Sequence, residues 1–206
     1  MIEGCGGLYI DKQANETGDK YIYLTFDAGY DNGNVTRIVD ILNEKGIKGS
    51  FFILSNLVAK NPELVKKLFE NGHLICNHSS THKDATKVGT DAFMQDVERL
   101  NSFCYERLGI TPTKYFRFPE GKYTAEALSA VRNAGYTPVF WSLSYADWDN
   151  AKQVTPQVAI KKLTDHIHPG AIVLLHPTSA TNATILPALI DKWQSLGYSF
   201  RTLDEI

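Results

Sequence analysis

The amino-acid sequence predicts an α/β protein, a distorted and incomplete (β/α)7-type barrel. Three observations lead there. Short β-rich runs alternate with amphipathic segments about seven times along 206 residues, and strict alternation argues parallel strands joined by right-handed crossovers. Seven units in this length fall short of the ~250 residues typical of a full eight-stranded barrel. A doubly wound sheet would satisfy the alternation as well; the chain length fits an incomplete or distorted barrel best, and in a parallel barrel the strand ends that carry the unusual polar residues lie on one rim.

Taken in order, Tyr21–Phe26 (YIYLTF) is the first strand, followed by a turn rich in Gly, Asp and Asn and a helix carrying Val35, Ile38, Val39 and Leu42. Gly49–Leu54 is the second strand. Its helix has Asn61 as N-cap, Pro62 at the first helical position and Gly72 past the end, the arrangement that helix termini favour. His73–Asn77 is the third strand, and Thr90 is placed to cap a long helix reaching about Gly109, with Phe93, Val97, Leu100, Cys104 and Leu108 at helical spacing. Tyr115–Phe118 is the fourth strand; Thr124 opens a helix with Leu128 and Val131 inward, stopped at Gly135. Thr137–Leu143 is the fifth. Thr155-Pro156 starts a helix bearing Ile160, Leu163 and Ile167 and closed by His168-Pro169-Gly170. Ala171–Leu175 is the sixth, uninterruptedly apolar as a strand buried on both faces should be. Ile185, Leu186, Leu189, Ile190 and Trp193 form one helix face before Gly197, and Tyr198–Leu203 closes the set.

Composition excludes several classes. Hydrophobic residues at 43% and charged residues at 21% are globular values, not those of a disordered or fibrous chain. A net charge of −2 without a basic stripe argues against nucleic acid, and no apolar run approaches the ~20 residues of a membrane span. Cys5, Cys76 and Cys104 are odd in number and widely spaced, so they make neither a disulfide framework nor a Cys-rich zinc site. The opening MIEGCGGLYI lacks a charged region followed by an apolar run, so no signal peptide is visible; an exported protein would have this chain as its mature or trimmed form.

The polar residues carry the functional reading. Asp27 follows the first strand, His78 and His82 the third, Arg117 lies near the end of the fourth, Asp147 follows the fifth, and His176 ends the sixth. Singly, each has a bland reading: an Asx-turn cap, capping histidines, a surface arginine, a turn aspartate, a core histidine. Together they converge on one rim. The His78-Ser-Ser-Thr-His82 spacing puts both imidazoles on one side of a helical turn, where they can share a cation. A carboxylate directly after an apolar strand suits a general base or a metal ligand.

These segments together resemble the polysaccharide deacetylase family, also called the NodB-homology or carbohydrate esterase family four. Thr25-Phe-Asp-Ala-Gly-Tyr30 is similar to its first motif, His78-Ser-Ser-Thr-His82 to the second, Arg117-Phe-Pro-Glu-Gly121 to the third, Asp147-Trp148 to the fourth and Leu174-Leu-His176 to the fifth. The resemblance runs from Tyr21 to the C-terminus and implies a catalytic domain over 21–206, with residues 1–20 as a segment leading into the barrel. The Gly-Tyr-Asp-Asn-Gly run at 29–33, the Phe140-Trp-Ser142 stretch and Asn182-Ala resemble the branch that deacetylates N-acetylmuramic acid in peptidoglycan, forming the δ-lactam of spore cortex.

The resemblance implies hydrolysis of an N-acetyl amide. A divalent cation such as Zn²⁺ would be held by His78 and His82, with Asp27 a further candidate ligand. Asp27 would act as base, fixed by Arg117; His176 would act as acid, oriented by Asp147; a backbone N–H near Glu120 would hold the oxyanion. Tyr30, Tyr123, Tyr145 and Trp148 are candidates to stack on sugar rings. The family's first motif has a second, metal-binding Asp where this chain has Ala28, which implies a weakened metal site. The implied partner is a peptidoglycan glycan strand and the implied location is outside the cytoplasm. Deacetylation of N-acetylglucosamine in peptidoglycan or chitin oligomers, removal of an acetyl ester from xylan, and a catalytically silent carbohydrate-binding protein are the alternatives.

Overall fold

The computed structural model describes residues 6–206; Cys5 lies outside the described residues. Seven parallel strands curl into a partial barrel: β1 (Tyr21–Ala28), β2 (Ser50–Ile53), β3 (Leu74–Asn77), β4 (Tyr115–Phe116), β5 (Thr137–Pro138), β6 (Ala171–Leu175) and β7 (Ser199–Arg201). Their order is β5-β4-β3-β2-β1-β6. β6 pairs with β1 from Ile22 to Phe26, while β7 pairs with its start (Tyr21–Tyr23) and β2 with its end (Thr25–Ala28). Because β6 overlaps both, β2 and β7 share the opposite edge of β1.

The helices are α1 (Lys12–Thr17), α2 (Asn34–Glu44), α3 (Ser55–Lys60), α4 (Pro62–Glu70), α5 (Thr90–Leu108), α6 (Ala125–Asn133), α7 (Pro156–Asp165) and α8 (Ala180–Ser195). Alternation along β1 separates two cores. Ile22, Leu24, Phe26 and Ala28 join the apolar faces of the helices, whereas Tyr23 points into the barrel with Phe52, Cys76, Val139 and Ile172. A strand buried on both faces is therefore apolar throughout, as β6 is.

Local chemistry departs from expectation in places. Gly89, in extended conformation, precedes α5, so Thr90 is its first helical residue and supplies no cap. Asn61 does precede Pro62, but its side chain makes no capping bond. The cap at Thr124 forms, accepting from the Ala127 N–H. α1 and α3 had no strong periodic signal, being six residues each.

The largest difference is at β4 and β5, which are two residues each rather than four and seven. Leu8 takes the place beside β5, donating to the Pro138 carbonyl (2.8 Å) and accepting from the Phe140 N–H (2.6 Å). Ile10 bridges Ala171 antiparallel, and further up Leu143 bridges Val173 in parallel. The N-terminal segment thus fills the seam between β5 and β6. Asp11 anchors it by accepting from Tyr23 Oη (2.7 Å) inside the barrel and from the Ala14 N–H. Gly170 has φ +75°, and a Cβ there would lie 2.3 Å from the Asp11 carbonyl, so the seam requires glycine at that point.

Candidate active site

Asp27 and Thr25 sit two apart on β1 and so share the barrel-facing side. Arg117, directly after β4, is fully buried and reaches both. Its Nη1 donates to Asp27 Oδ1 (2.7 Å), and Nη2 donates to Thr25 Oγ1 (2.8 Å) and the Phe140 carbonyl (3.2 Å). Nε donates to the Val139 carbonyl (3.2 Å), and the guanidinium lies 4.1 Å from the Phe52 ring centre. The bland reading of Arg117 as a surface residue is excluded. Burial alone would raise the pKa of Asp27, but the Arg117 charge, helped by His78, by His176 and last by the Arg117 hydrogen bond, holds it below the usual 3.8.

His78 and His82 meet with ring centres 5.0 Å apart in a T-shaped arrangement, but not on a helical turn. The 78–82 loop passes through left-handed Ser79 (φ 69°) and His82 (φ 59°), conformations that cost non-glycine residues energy. Buried side chains compensate: Asn77 Oδ1 accepts from the Ser79 N–H (2.7 Å), Ser79 Oγ from the His82 N–H (3.0 Å), and Asp96 on α5 from the Thr81 N–H and hydroxyl.

His78 donates Nδ1–H to the Arg117 carbonyl (2.8 Å). Burial, the largest influence, pushes its pKa down to about 4 despite the Asp27 charge, so the ring is neutral at pH 7. Its Nε2 lone pair then faces Asp27 Oδ2 at 3.5 Å, two acceptors with no proton between them. A cation beside them would satisfy both, and an imidazole whose other nitrogen donates to a carbonyl is the usual form of a metal-binding histidine. The two imidazoles are donors of the type a cation takes, and the Asp27 carboxylate lies beside His78. Among the described residues, no cluster of three or more His, Cys, Asp or Glu side chains is disposed to hold a metal ion. Ala28 is fully buried in the helix-facing core and offers no donor.

On the opposite side, His176 follows β6 and Asp147 follows the β5 segment. Asp147 Oδ1 lies 2.7 Å from His176 Nδ1, and Oδ2 accepts the His176 N–H (2.8 Å). Burial disfavours the imidazolium, but the hydrogen bond and charge of Asp147 outweigh it and raise the His176 pKa above 6.5. With Nδ1 bound to Asp147, Nε2 is the nitrogen left for a ligand.

Both halves line one cavity of about 690 Å³, with Asp27, His78, His82 and His176 on its wall. Glu120 lines it too, in a left-handed conformation (φ 56°), and its backbone N–H takes no partner among the described residues. Tyr30 and Trp148 form the rim, exposed by 46% and 63%; Asn150 Nδ2 donates to Tyr30 Oη (3.0 Å). Asn32 and Asn34 both donate to the Thr178 carbonyl, tying the loops after β1 and β6 together.

Two expected sugar platforms differ. Tyr145 lines the cavity but is buried, its hydroxyl donating to Asn182 Oδ1 (2.5 Å), so it is wall and not platform. Tyr123 packs on Phe118 and Phe140 and lines a separate cavity with Arg132. Trp141, Leu54 and Thr178, also on the wall, were missed: each reads as core or turn, and only the curl of the sheet turns them inward. Thr25 was findable from its two-residue spacing to Asp27.

Comparison with known proteins adds a family. The model of the polysaccharide deacetylase family matches residues 14–139. The peptidoglycan-N-acetylmuramic acid deacetylase PdaA of Bacillus subtilis is 35% identical over 206 residues, all of this chain and 77% of that protein. A chitooligosaccharide deacetylase of Rhizobium leguminosarum is 31% identical, covering 91% of this chain and 92% of the relative. The solved structure of B. subtilis PdaA, described as a family 4 carbohydrate esterase, superimposes with a TM-score of 0.90 at 34% identity, over 99% of this chain and 86% of that one.

Proposed function

This chain belongs to the polysaccharide deacetylase family, and from that premise we propose that it hydrolyses the N-acetyl amide of N-acetylmuramic acid in peptidoglycan, outside the cytoplasm, as a step to the δ-lactam of spore cortex. The observation that carries the chemistry is the pairing of Asp27–Arg117 with Asp147–His176 across one cavity. The full-length similarity to a muramic acid deacetylase supports the substrate. The Rhizobium relative keeps N-acetylglucosamine oligomers as the second reading.

His78 and His82 would hold a divalent cation, zinc being suited to imidazole donors. When bound, such an ion polarises the acetyl carbonyl and lowers the pKa of water. Asp27, kept ionised by Arg117, takes a proton from the attacking water through Oδ2. The water oxygen bonds to the carbonyl carbon, and the backbone N–H of Glu120 stabilises the charge developing on the carbonyl oxygen, a contribution of about 3–4 kcal/mol in comparable sites. The C–N bond then breaks while His176 gives its Nε2 proton to the leaving nitrogen, since an amine anion leaves very poorly. Acetate and a free amine result. Tyr30 and Trp148 offer aromatic faces to the glycan at the rim.

The test is acetate release, with added Zn²⁺ or with chelator, from peptide-stripped peptidoglycan glycan and from an N-acetylglucosamine oligomer. Metal-dependent release from muramic acid residues alone is expected. Release from the glucosamine oligomer alone would overturn the substrate, and no release from either would favour a silent carbohydrate-binding protein.

A further inference from the structure

Behind Asp147 lies a buried polar chain that the chemistry above does not use. Asn182, in the first turn of α8 and 1% exposed, donates Nδ2 to Asp147 Oδ2 (2.6 Å) and to the His176 carbonyl (3.0 Å). Its Oδ1 accepts from Tyr145 Oη. The amide can stand only this way round: a flip would set its oxygen against the acceptor-only carboxylate.

The backbone of Asn182 is fixed in turn. Its N–H donates to Ser179 Oγ (3.1 Å), the cap of α8, and the Ser179 hydroxyl donates to Gln153 Oε1. Gln153 Nε2 donates to the Asp147 and Asp149 carbonyls (3.0 and 2.8 Å). The first turn of α8 thereby grips both the side chain and the main chain of Asp147.

We infer that Asn182, oriented by the Tyr145 hydroxyl, is a positioning residue for proton delivery: it occupies Asp147 Oδ2 so that Oδ1 stays on His176 Nδ1 and Nε2 faces the leaving nitrogen. This rests on the acid role of His176 in amide hydrolysis. Without Asn182, a fully buried carboxylate oxygen keeps a single partner, the His176 N–H, and the carboxylate is free to rotate off the imidazole. Outer hydrogen-bond partners that orient metal-bound histidines are worth roughly 10–100-fold in activity, and a loss of that order is expected for an amide that holds the partner of the acid histidine.

An amide needs that proton, whereas a 4-nitrophenolate leaving group does not. Asn182→Leu is expected to lower kcat for the N-acetyl glycan about 10–100-fold with KM within about twofold, and to lower turnover of 4-nitrophenyl acetate less than about threefold. In the His176→Ala background the same substitution is expected to cost less than about twofold, because the residue it serves is gone. Tyr145→Phe, which removes only the orienting hydroxyl, carries the test if Asn182→Leu fails to fold by near-ultraviolet circular dichroism, and is expected to show the same amide-selective loss at smaller size. Equal losses on both substrates, or an unchanged amide rate, would overturn the inference. A wild-type chain that cleaves the aryl ester but no N-acetyl glycan would remove the amide reading itself, and this inference with it.

Discussion

Replacing Arg117 by Met removes the guanidinium bonded to Asp27 and the donor that serves the carbonyls of Val139 and Phe140. At the 2.7 Å contact the attraction amounts to ~6 kcal/mol for an effective dielectric constant of ~20, of which desolvation cancels part. Breaking one side of a buried pair typically costs about 3–5 kcal/mol. For a chain of this size that corresponds to a fall in Tm of roughly 6–20 °C. The same change bears on catalysis. Asp27 is held below 3.8 against the upward pull of burial, so loss of Arg117 lets burial dominate and its pKa rises. The acidic limb of kcat/KM for acetate release moves to higher pH. Asp27, having a folded pKa below its unfolded one, contributes stability above about pH 3.8 that is lost as pH falls through the folded value; in the variant this contribution disappears. Arg117→Lys separates the two effects. It keeps a charge but cannot reach Asp27, Thr25 and both carbonyls at once, so stability should fall nearly as far while the acidic limb moves less. Urea denaturation and a pH–rate profile measure both. A Met variant within 1 kcal/mol of wild type and with an unmoved acidic limb would refute the reasoning.

Asp27→Asn and His176→Ala should each abolish most acetate release, on the order of 10²–10⁴-fold, while leaving the thermal unfolding transition folded-like; near-wild-type turnover in either sinks the role assigned to it. His78→Ala and His82→Ala should each weaken Zn²⁺ binding by titration calorimetry, and chelator should stop acetate release by the wild type. His73 is buried, accepting from the Gly49 N–H at Nδ1, and burial, with the Lys48 charge adding, pushes its pKa from 6.5 to about 4. The unfolded chain therefore binds the extra proton between those values, and stability falls as pH drops from about 6.5 to about 4, by up to ~3 kcal/mol. His73→Gln should shrink that acid loss in urea titrations at several pH values, leaving the similar share due to His78. Trp148→Ala should raise KM for glycan several-fold with little change in kcat; an unchanged KM would exclude stacking at the rim.

The alternation of apolar runs and amphipathic segments, the strand-end placement of Asp27, Arg117, Asp147 and His176, and the motif order were all legible in the sequence, because local periodicity and position along a strand are properties of neighbouring residues. The same locality explains what was misread. β5 looked seven residues long because its apolar run continues, yet Leu8, about 130 residues away, takes part of its edge. The His78–His82 spacing suggested a helical turn, and only the clamp by Asn77 and Asp96 bends it through left-handed residues instead. Tyr145 and Tyr123 carried the right chemistry for sugar, but whether an aromatic ring faces a cavity, a core or a hydroxyl partner is decided by packing between distant elements. Local sequence shows which polar groups stand together at the strand ends of one rim. The tertiary structure alone decided their protonation and their partners, since burial, a facing guanidinium and an amide held by a remote helix are long-range facts that set pKa and orientation.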